Sequence, residues 1–167
     1  MANKWLFKSD PEHYSYFDLE HDGKTVWDGV SNNLALKHLR NVRRGDEVMI
    51  YHSGGERAVV GLAEVLSDPY PDPKKKDARL AVVDIAARAK LSRPVGLDEI
   101  KSHAELKDFD LVRLPRLSVM PVSKRQWKTL LALAKGNKRH SLPFRPGGGR
   151  GIFLALTVMF DNRECPL

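Results

Sequence analysis

Short stretches of alternating polar and apolar residues, separated by turn-forming residues, run along most of the chain. Residues 4–8, KWLFK, alternate in this way and stop before Pro11, and they predict a short strand because proline cannot continue a central strand. Residues 47–53, EVMIYHS, and residues 58–66, AVVGLAEVL, are rich in β-branched and apolar side chains. Only the Gly-Gly-Glu-Arg segment 54–57 separates these two runs, so the pattern predicts a β-hairpin.

Two later segments predict further strands. Residues 67–79, SDPYPDPKKKDAR, hold three prolines and a basic run and predict a loop. Residues 80–89 return to alternation, and residues 116–122, RLSVMPV, predict a short strand that Pro121 stops. Successive strands joined in this way favour an antiparallel sheet that closes or curls.

Three helices are predicted, two between these strands and one after the last of them. Residues 32–40, NNLALKHLR, space their leucines as on one helix face, with Ser31 or Asn32 as the N-cap of a helix of about three turns. Residues 97–101 predict a single helical turn. No internal repeat is visible.

The helix with the most complete set of end signals begins after Ser123. Ser123 and Gln126 have the spacing of a capping box, and Val122 and Trp127 have that of a hydrophobic staple. Gly136 supplies the C-terminal stop. These signals predict a helix over residues 124–135.

Composition is that of one globular domain with a mildly basic surface. The 167 residues include 28 Lys and Arg against 21 Asp and Glu, a formal charge of +7. Residues 137–167 account for +3 of it, with five basic and two acidic residues. The surplus suits a polyanionic partner such as nucleic acid, and it is equally common on a merely solubilising surface.

The single cysteine, Cys165, excludes a disulfide framework and a zinc site built on cysteines. The N-terminus has no apolar run of signal-peptide length, and residues 151–160, GIFLALTVMF, are too few to span a membrane. We therefore expect a cytoplasmic location and no membrane partner. Residues 137–167 read as a basic Pro/Gly-rich linker followed by an apolar extension, either an edge strand or a segment covered by another molecule.

Signals for catalysis are weak. Residues 51–53, Tyr-His-Ser, suggest a nucleophile with a base, but His52 and Ser53 would point to opposite faces of a strand. Neither a G-x-S-x-G elbow, an HExxH zinc motif nor a phosphate-binding glycine loop occurs. We expect no catalytic residue, no metal and no cofactor. The alternatives are a small-molecule or nucleotide enzyme using Lys8, Tyr51 and His52, or a protein-interaction accessory module.

Polar and aromatic residues gather at four predicted strand or helix ends. They are Lys8-Ser9, Trp27-Asp28, Tyr51-His52-Ser53 and Leu117-Ser118. Such ends can converge on one pocket. The alternative is that Trp27 is a core residue and the others form turns.

Six motifs in order make the chain resemble the EVE domain family over residues 3–136. They are WLFKSDP (5–11), WDGV (27–30), YHS (51–53), GLAEV (61–65), YPDP (70–73) and RLSVMPVS (116–123). The resemblance implies an α+β, PUA-like fold, a curled mixed β-barrel flanked by helices. It also implies a non-enzymatic nucleic-acid-binding domain whose aromatic-walled pocket holds a modified base in DNA or RNA, such as 5-methylcytosine or 5-hydroxymethylcytosine.

On this basis Trp27 is predicted to be an exposed stacking plate at the mouth of the pocket. The expected base-binding residues are Lys8, Ser9, Trp27, Asp28, Asn32, Tyr51, His52, Ser53, Leu117, Ser118 and Pro121. The weaker candidates for phosphate contact are Arg43, Arg44, Lys74, Lys75, Lys76 and Arg79. Asp10 and Ser31 stand where the family usually has glutamate and arginine, which predicts a ligand preference different from that of relatives.

Overall fold

The computed structural model describes residues 2–136, so the linker and extension predicted for residues 137–167 lie outside the described residues. The strands are β1 (Lys4–Ser9), β2 (Lys24–Trp27), β3 (Glu47–His52), β4 (Ala58–Val65), β5 (Tyr70–Pro71), β6 (Ala81–Gly96) and β7 (Val119–Pro121). The helices are α1 (Tyr16–Asp22), α2 (Asn33–Asn41), α3 (Leu97–Ser102), α4 (Asp110–Arg113) and α5 (Lys124–Ala134), with a 3₁₀ turn at Ala104–Leu106.

The strands form one curled mixed sheet with helices at its flanks. Their order is β2-β6-β4-β3-β1-β7, with β5 paired to β6. Strands β1 and β3 are parallel, and the other pairs are antiparallel. The predicted α+β class with a curled mixed sheet is therefore confirmed.

The predicted hairpin of β3 and β4 is confirmed, with Glu47 opposite Glu64 at one end and His52 opposite Ala58 at the other. Strand β6 is longer than predicted and runs through Pro94. Its register with β4 jumps from Lys90 to Val95, so Pro94 lies in a bulge where no ladder hydrogen bond is lost.

The capping signals in the sequence specify the helix ends correctly. The Asn32 carboxamide oxygen accepts hydrogen bonds from the Leu34 and Ala35 amides at 2.9 and 3.1 Å, which starts α2. The Ser123 and Gln126 capping box is formed in both directions before α5. Gly136 follows with a φ of +64°, a conformation in which only glycine is unstrained.

The unpredicted elements are helices α1 and α4, the 3₁₀ turn, and strands β2 and β5, and the prediction of a loop over residues 67–79 is wrong at β5, where Tyr70 and Pro71 pair with β6. Ser15 and Asp18 form a capping box at the start of α1, a signal that the sequence does contain. Strand β2 pairs antiparallel with β6, and its last residue, Trp27, lies opposite Val83. Trp27 is therefore a strand residue rather than part of a loop.

Helix α1 packs on β4 through Tyr16, which is 2% exposed and donates its hydroxyl hydrogen to the Leu62 carbonyl at 2.8 Å. The ring lies over Gly61, where an added Cβ would come within 2.3 Å of it. Glycine at this position is required by the close approach of the Tyr16 ring.

We therefore expect Gly61→Ala to lower the free energy of unfolding by about 1–3 kcal/mol, because the buried ring must shift. Urea unfolding followed by circular dichroism measures the change. Gly55→Ala is the matched control, since a Cβ there meets nothing within 4 Å. Equal stability of the two variants would contradict this packing.

Alkaline pH is expected to destabilise the fold through the phenols of Tyr16 and Tyr70. Burial raises the pKa of Tyr16 to about 12, and the hydrogen bond to Asp84 raises the pKa of Tyr70 to about 12. The unfolded phenols ionise near pH 10. Their stabilising contribution is thus complete below pH 10 and is lost as pH rises from 10 through 12.

Urea unfolding at steps between pH 8 and pH 12 gives the free energies of unfolding of the wild type and Tyr16→Phe. The advantage of the wild type should fall across that window by about 1.4 kcal/mol for each unit by which folding raises the pKa of Tyr16. Absorbance at 295 nm should show Tyr16 and Tyr70 titrating late. Parallel stability curves for the two proteins would contradict the shift at Tyr16.

Candidate nucleic-acid interface

A cavity of about 790 Å³ opens where β1 and β2 end. A volume in this range suits a small organic ligand or a nucleotide. The lining residues are Lys8, Ser9, Asp10, His13, Tyr14, Thr25, Val26, Trp27, Asp28, Gly29, Val30, Lys74 and Ser118.

The turn after β1 forms one side of the cavity. The Asp10 carbonyl accepts hydrogen bonds from the His13 and Tyr14 amides at 3.0 and 2.8 Å, and the Ser9 hydroxyl donates to the Tyr14 carbonyl. The Lys8 amide also bonds to the Ser118 carbonyl at 2.9 Å, which brings Ser118 to the same wall. This side of the cavity is therefore fixed by backbone hydrogen bonds.

The expectation that Trp27 is exposed is wrong. Its side chain is only 8% exposed and packs against Phe7, with ring centroids 5.4 Å apart and planes inclined at 37°. Trp27 is the last residue of β2 and belongs to the hydrophobic core, as the alternative interpretation of the sequence proposed. Trp27 nevertheless lines the cavity, as part of a wall rather than as an exposed rim.

Charges of both signs line the cavity. The Lys8 ammonium is half-buried, which lowers its pKa, and it donates to the Pro115 carbonyl at 2.7 Å. The Asp28 carboxylate lies 3.7 Å from the Lys74 ammonium. The arrangement offers hydrogen-bond donors and acceptors to a polar ligand edge.

The Tyr51-His52-Ser53 segment does not line the cavity. Tyr51 is 3% exposed. His52 Nε2 accepts from the Tyr16 amide at 2.9 Å, so Nδ1 carries the proton and donates to Glu56 at 2.6 Å. Ser53 donates its amide and hydroxyl hydrogens to the Ser9 carbonyl at 2.9 and 3.2 Å. These residues support the wall, and the grouping of Lys8, Tyr51 and His52 expected for an enzyme is not assembled around the cavity.

Two other expected base-binding residues, Asn32 and Leu117, line a separate cleft of about 310 Å³. The side-chain oxygen of Asn32 caps α2 there. Pro121 is exposed in β7 opposite Trp5 and lines neither space. The sequence could not place these residues because their positions depend on how β7 and α2 pack.

Of the residues expected to contact phosphate, Lys74 alone lines the cavity. The Arg43 guanidinium donates to the Arg40 and Val42 carbonyls, and Arg79 forms a two-pronged pair with Asp77. The remaining three, Arg44, Lys75 and Lys76, are exposed.

Seven lining residues were not in the predicted set: Asp10, His13, Tyr14, Thr25, Val26, Gly29 and Val30. The Ser15 and Asp18 capping box was the signal that could have found some of them, because it predicts a turn just before α1. The φ of +78° at Gly29 explains the glycine in the Trp-Asp-Gly motif, which turns the chain away from β2.

Within residues 2–136, no cluster of three or more His, Cys, Asp or Glu side chains is arranged to hold a metal ion. In the same range no helix combines the length and apolarity needed to cross a bilayer.

Known proteins are similar to this chain in sequence. The sequence profile described as the EVE domain matches residues 3–133. Thymocyte nuclear protein 1 of Rattus norvegicus is 29% identical over 167 aligned residues, which cover 80% of this chain and 74% of the rat protein. That relative is named for the nucleus, and a cytoplasmic location stays a prediction for this chain.

Solved structures show the same fold. A Rhodopseudomonas palustris protein studied by NMR is 34% identical with a TM-score of 0.77, over 84% of this chain and 98% of that one. The human THYN1 protein, solved in complex with DNA containing 5-methylcytosine, is 28% identical with a TM-score of 0.75, over 80% of this chain and 98% of that one. An ASCH protein of Zymomonas mobilis, 12% identical with a TM-score of 0.53, over 78% of this chain and 95% of that one, shares the fold alone. The predicted PUA-like architecture is confirmed.

Proposed function

The chain belongs to the EVE domain family, and from this premise we propose that its 790 Å³ cavity holds a modified base of DNA or RNA without chemically altering it. The observation that carries the proposal is the position of Trp27, Lys8 and Asp28 around one cavity in a chain similar to a protein solved with methylated DNA. The modified base is a cytosine carrying a 5-methyl or 5-hydroxymethyl group.

Trp27 supplies the aromatic wall, and Lys8, Ser9, Asp28 and Ser118 supply polar contacts to the edges of the base. Stacking of one base on one aromatic ring contributes about 1–3 kcal/mol. Extruding a base from a duplex costs a few kcal/mol. Single strands are therefore the easier targets, and duplex binding requires additional contacts to the backbone.

The contact with the added methyl group sets the preference for the modified base. Burying one methyl group contributes about 0.8 kcal/mol, which is roughly a fourfold change in affinity. Leu117 and Pro121, which were expected to bind the base, do not line the cavity, so they cannot contact this methyl group. Val30 and Trp27 both line the cavity, and Val30 is 7% exposed, so we assign the methyl contact to these two side chains.

The function is tested with single-stranded oligonucleotides that differ only in one central base, cytosine or 5-methylcytosine. Fluorescence anisotropy should give an affinity about fourfold higher for the methylated strand. Equal affinities would contradict the assignment of a modified base, and the absence of binding to either strand would contradict the assignment of a nucleic-acid partner.

Lys74 is expected to contact a phosphate, since it is the basic residue of the 72–79 loop that reaches the cavity. Lys74→Ala should weaken binding and reduce the slope of log affinity against log salt by about 1. The exposed Lys101 of α3 provides the control Lys101→Ala. The same slope in both variants and the wild type would remove Lys74 from the interface.

A further inference from the structure

A reader of 5-methylcytosine has to reject thymine, which carries a methyl group at the same position of the pyrimidine ring. A stacking wall and a methyl niche accept both bases equally. The two bases differ at position 4, where cytosine presents an amine donor and thymine presents a carbonyl acceptor. Discrimination therefore requires a protein acceptor that faces this position.

Two carboxylates line the cavity, and one of them is already engaged. Asp10 Oδ1 accepts from the Glu12 amide at 3.0 Å, and Oδ2 lies 3.2 Å from His13 Nδ1. Asp28 differs from Asp10 in this respect. Its closest charged neighbour within residues 2–136 is Lys74 at 3.7 Å, beyond hydrogen-bond length, and its side chain is 44% exposed.

Asp28 is also held in a fixed place relative to the aromatic wall. It directly follows Trp27, whose backbone is paired with Val83 in the sheet. Gly29, with its positive φ, turns the chain immediately afterwards. Trp27 and Asp28 both line the cavity, so a base that enters it against the indole shares the cavity with the Asp28 carboxylate.

We propose that Asp28 determines base specificity in this cavity by accepting a hydrogen bond from the 4-amino group of the cytosine ring and so excluding thymine. The inference rests on the proposed function. An ionised carboxylate only accepts hydrogen bonds, so thymine would place its 4-carbonyl oxygen against a negative oxygen with no hydrogen between them. Sites that recognise a polar edge by hydrogen bonds discriminate strongly, because the wrong ligand leaves a polar group of the protein without its hydrogen bond.

The experiment compares single-stranded oligonucleotides with 5-methylcytosine, thymine or cytosine at one central position. The proteins are the wild type, Asp28→Asn, Asp10→Asn and the remote control Asp98→Asn on α3, with thermal unfolding to establish that each is folded. The wild type should bind 5-methylcytosine between about 10- and 100-fold more tightly than thymine. Asp28→Asn should bring the two within about threefold, because a carboxamide can present either a donor or an acceptor.

Three outcomes would overturn the proposal: equal binding of 5-methylcytosine and thymine by the wild type, an unchanged ratio in Asp28→Asn, or loss of the ratio in Asp10→Asn instead. The comparison of 5-methylcytosine with cytosine is independent, since both bases carry the amine. Preference for both cytosines over thymine without preference for the methyl group would support Asp28 and contradict the proposed reading of the modification.

Discussion

Trp27→Ala is expected to weaken binding of a 5-methylcytosine oligonucleotide by about 1–3 kcal/mol, because the base loses its stacking surface. The same change should lower the free energy of unfolding by about 3–5 kcal/mol, since it empties a buried space beside Phe7. Anisotropy titration and urea unfolding measure the two effects separately.

Trp127→Ala separates these effects, because Trp127 is 5% exposed on α5 and does not line the cavity. It should destabilise the fold by a similar amount and leave the affinity of the folded protein unchanged. Trp27→Phe keeps an aromatic wall and should retain most of the affinity. If folded Trp27→Ala binds as tightly as the wild type, the indole is structural only.

Asp46→Ala is expected to lower the free energy of unfolding by about 3 kcal/mol or more. The carboxylate is 3% exposed and accepts three hydrogen bonds, from the Asn3 amide at 3.0 Å, the Trp5 indole at 2.9 Å and the Arg43 amide at 2.9 Å. Removing it leaves the buried Trp5 indole N–H and two partly buried backbone amides without this acceptor, at about 1–3 kcal/mol for each donor that stays unpaired.

Asp46→Asn retains one acceptor oxygen and should be less destabilising than Asp46→Ala in the same urea titration. The exposed Asp98 provides the control Asp98→Ala. A loss below about 1 kcal/mol for Asp46→Ala would show that water satisfies these donors.

Elements with strong local signals could be predicted from the sequence. The capping box of Ser123 and Gln126 and the glycine-containing turn between β3 and β4 specify their structures through contacts of near neighbours. Helix α1 and strand β2 have seven and four residues, too few to show a clear period. The burial of Trp27 could not be predicted, because it depends on Phe7, which only the assembled sheet brings alongside.

The candidate site was predicted in part for the same reason. Lys8, Ser9, Trp27, Asp28 and Ser118 do line one cavity, as their positions at the ends of elements suggested. Strands β1 and β3 are parallel, so Ser53 lies at the same edge of the sheet as Ser9. Ser53 does not line the cavity, because its hydroxyl group donates to the Ser9 carbonyl. The sequence indicates the edge of the sheet at which these residues converge, and packing determines which of them line the cavity.

The most direct test of the account follows the three tryptophan indole N–H resonances by NMR while a 5-methylcytosine single strand is added. The Trp5 indole bonds to Asp46, and Trp127 lies under Lys4, so both serve as internal references. The Trp27 resonance should shift in proportion to binding while the other two stay in place. Binding with an unmoved Trp27 resonance would contradict the account.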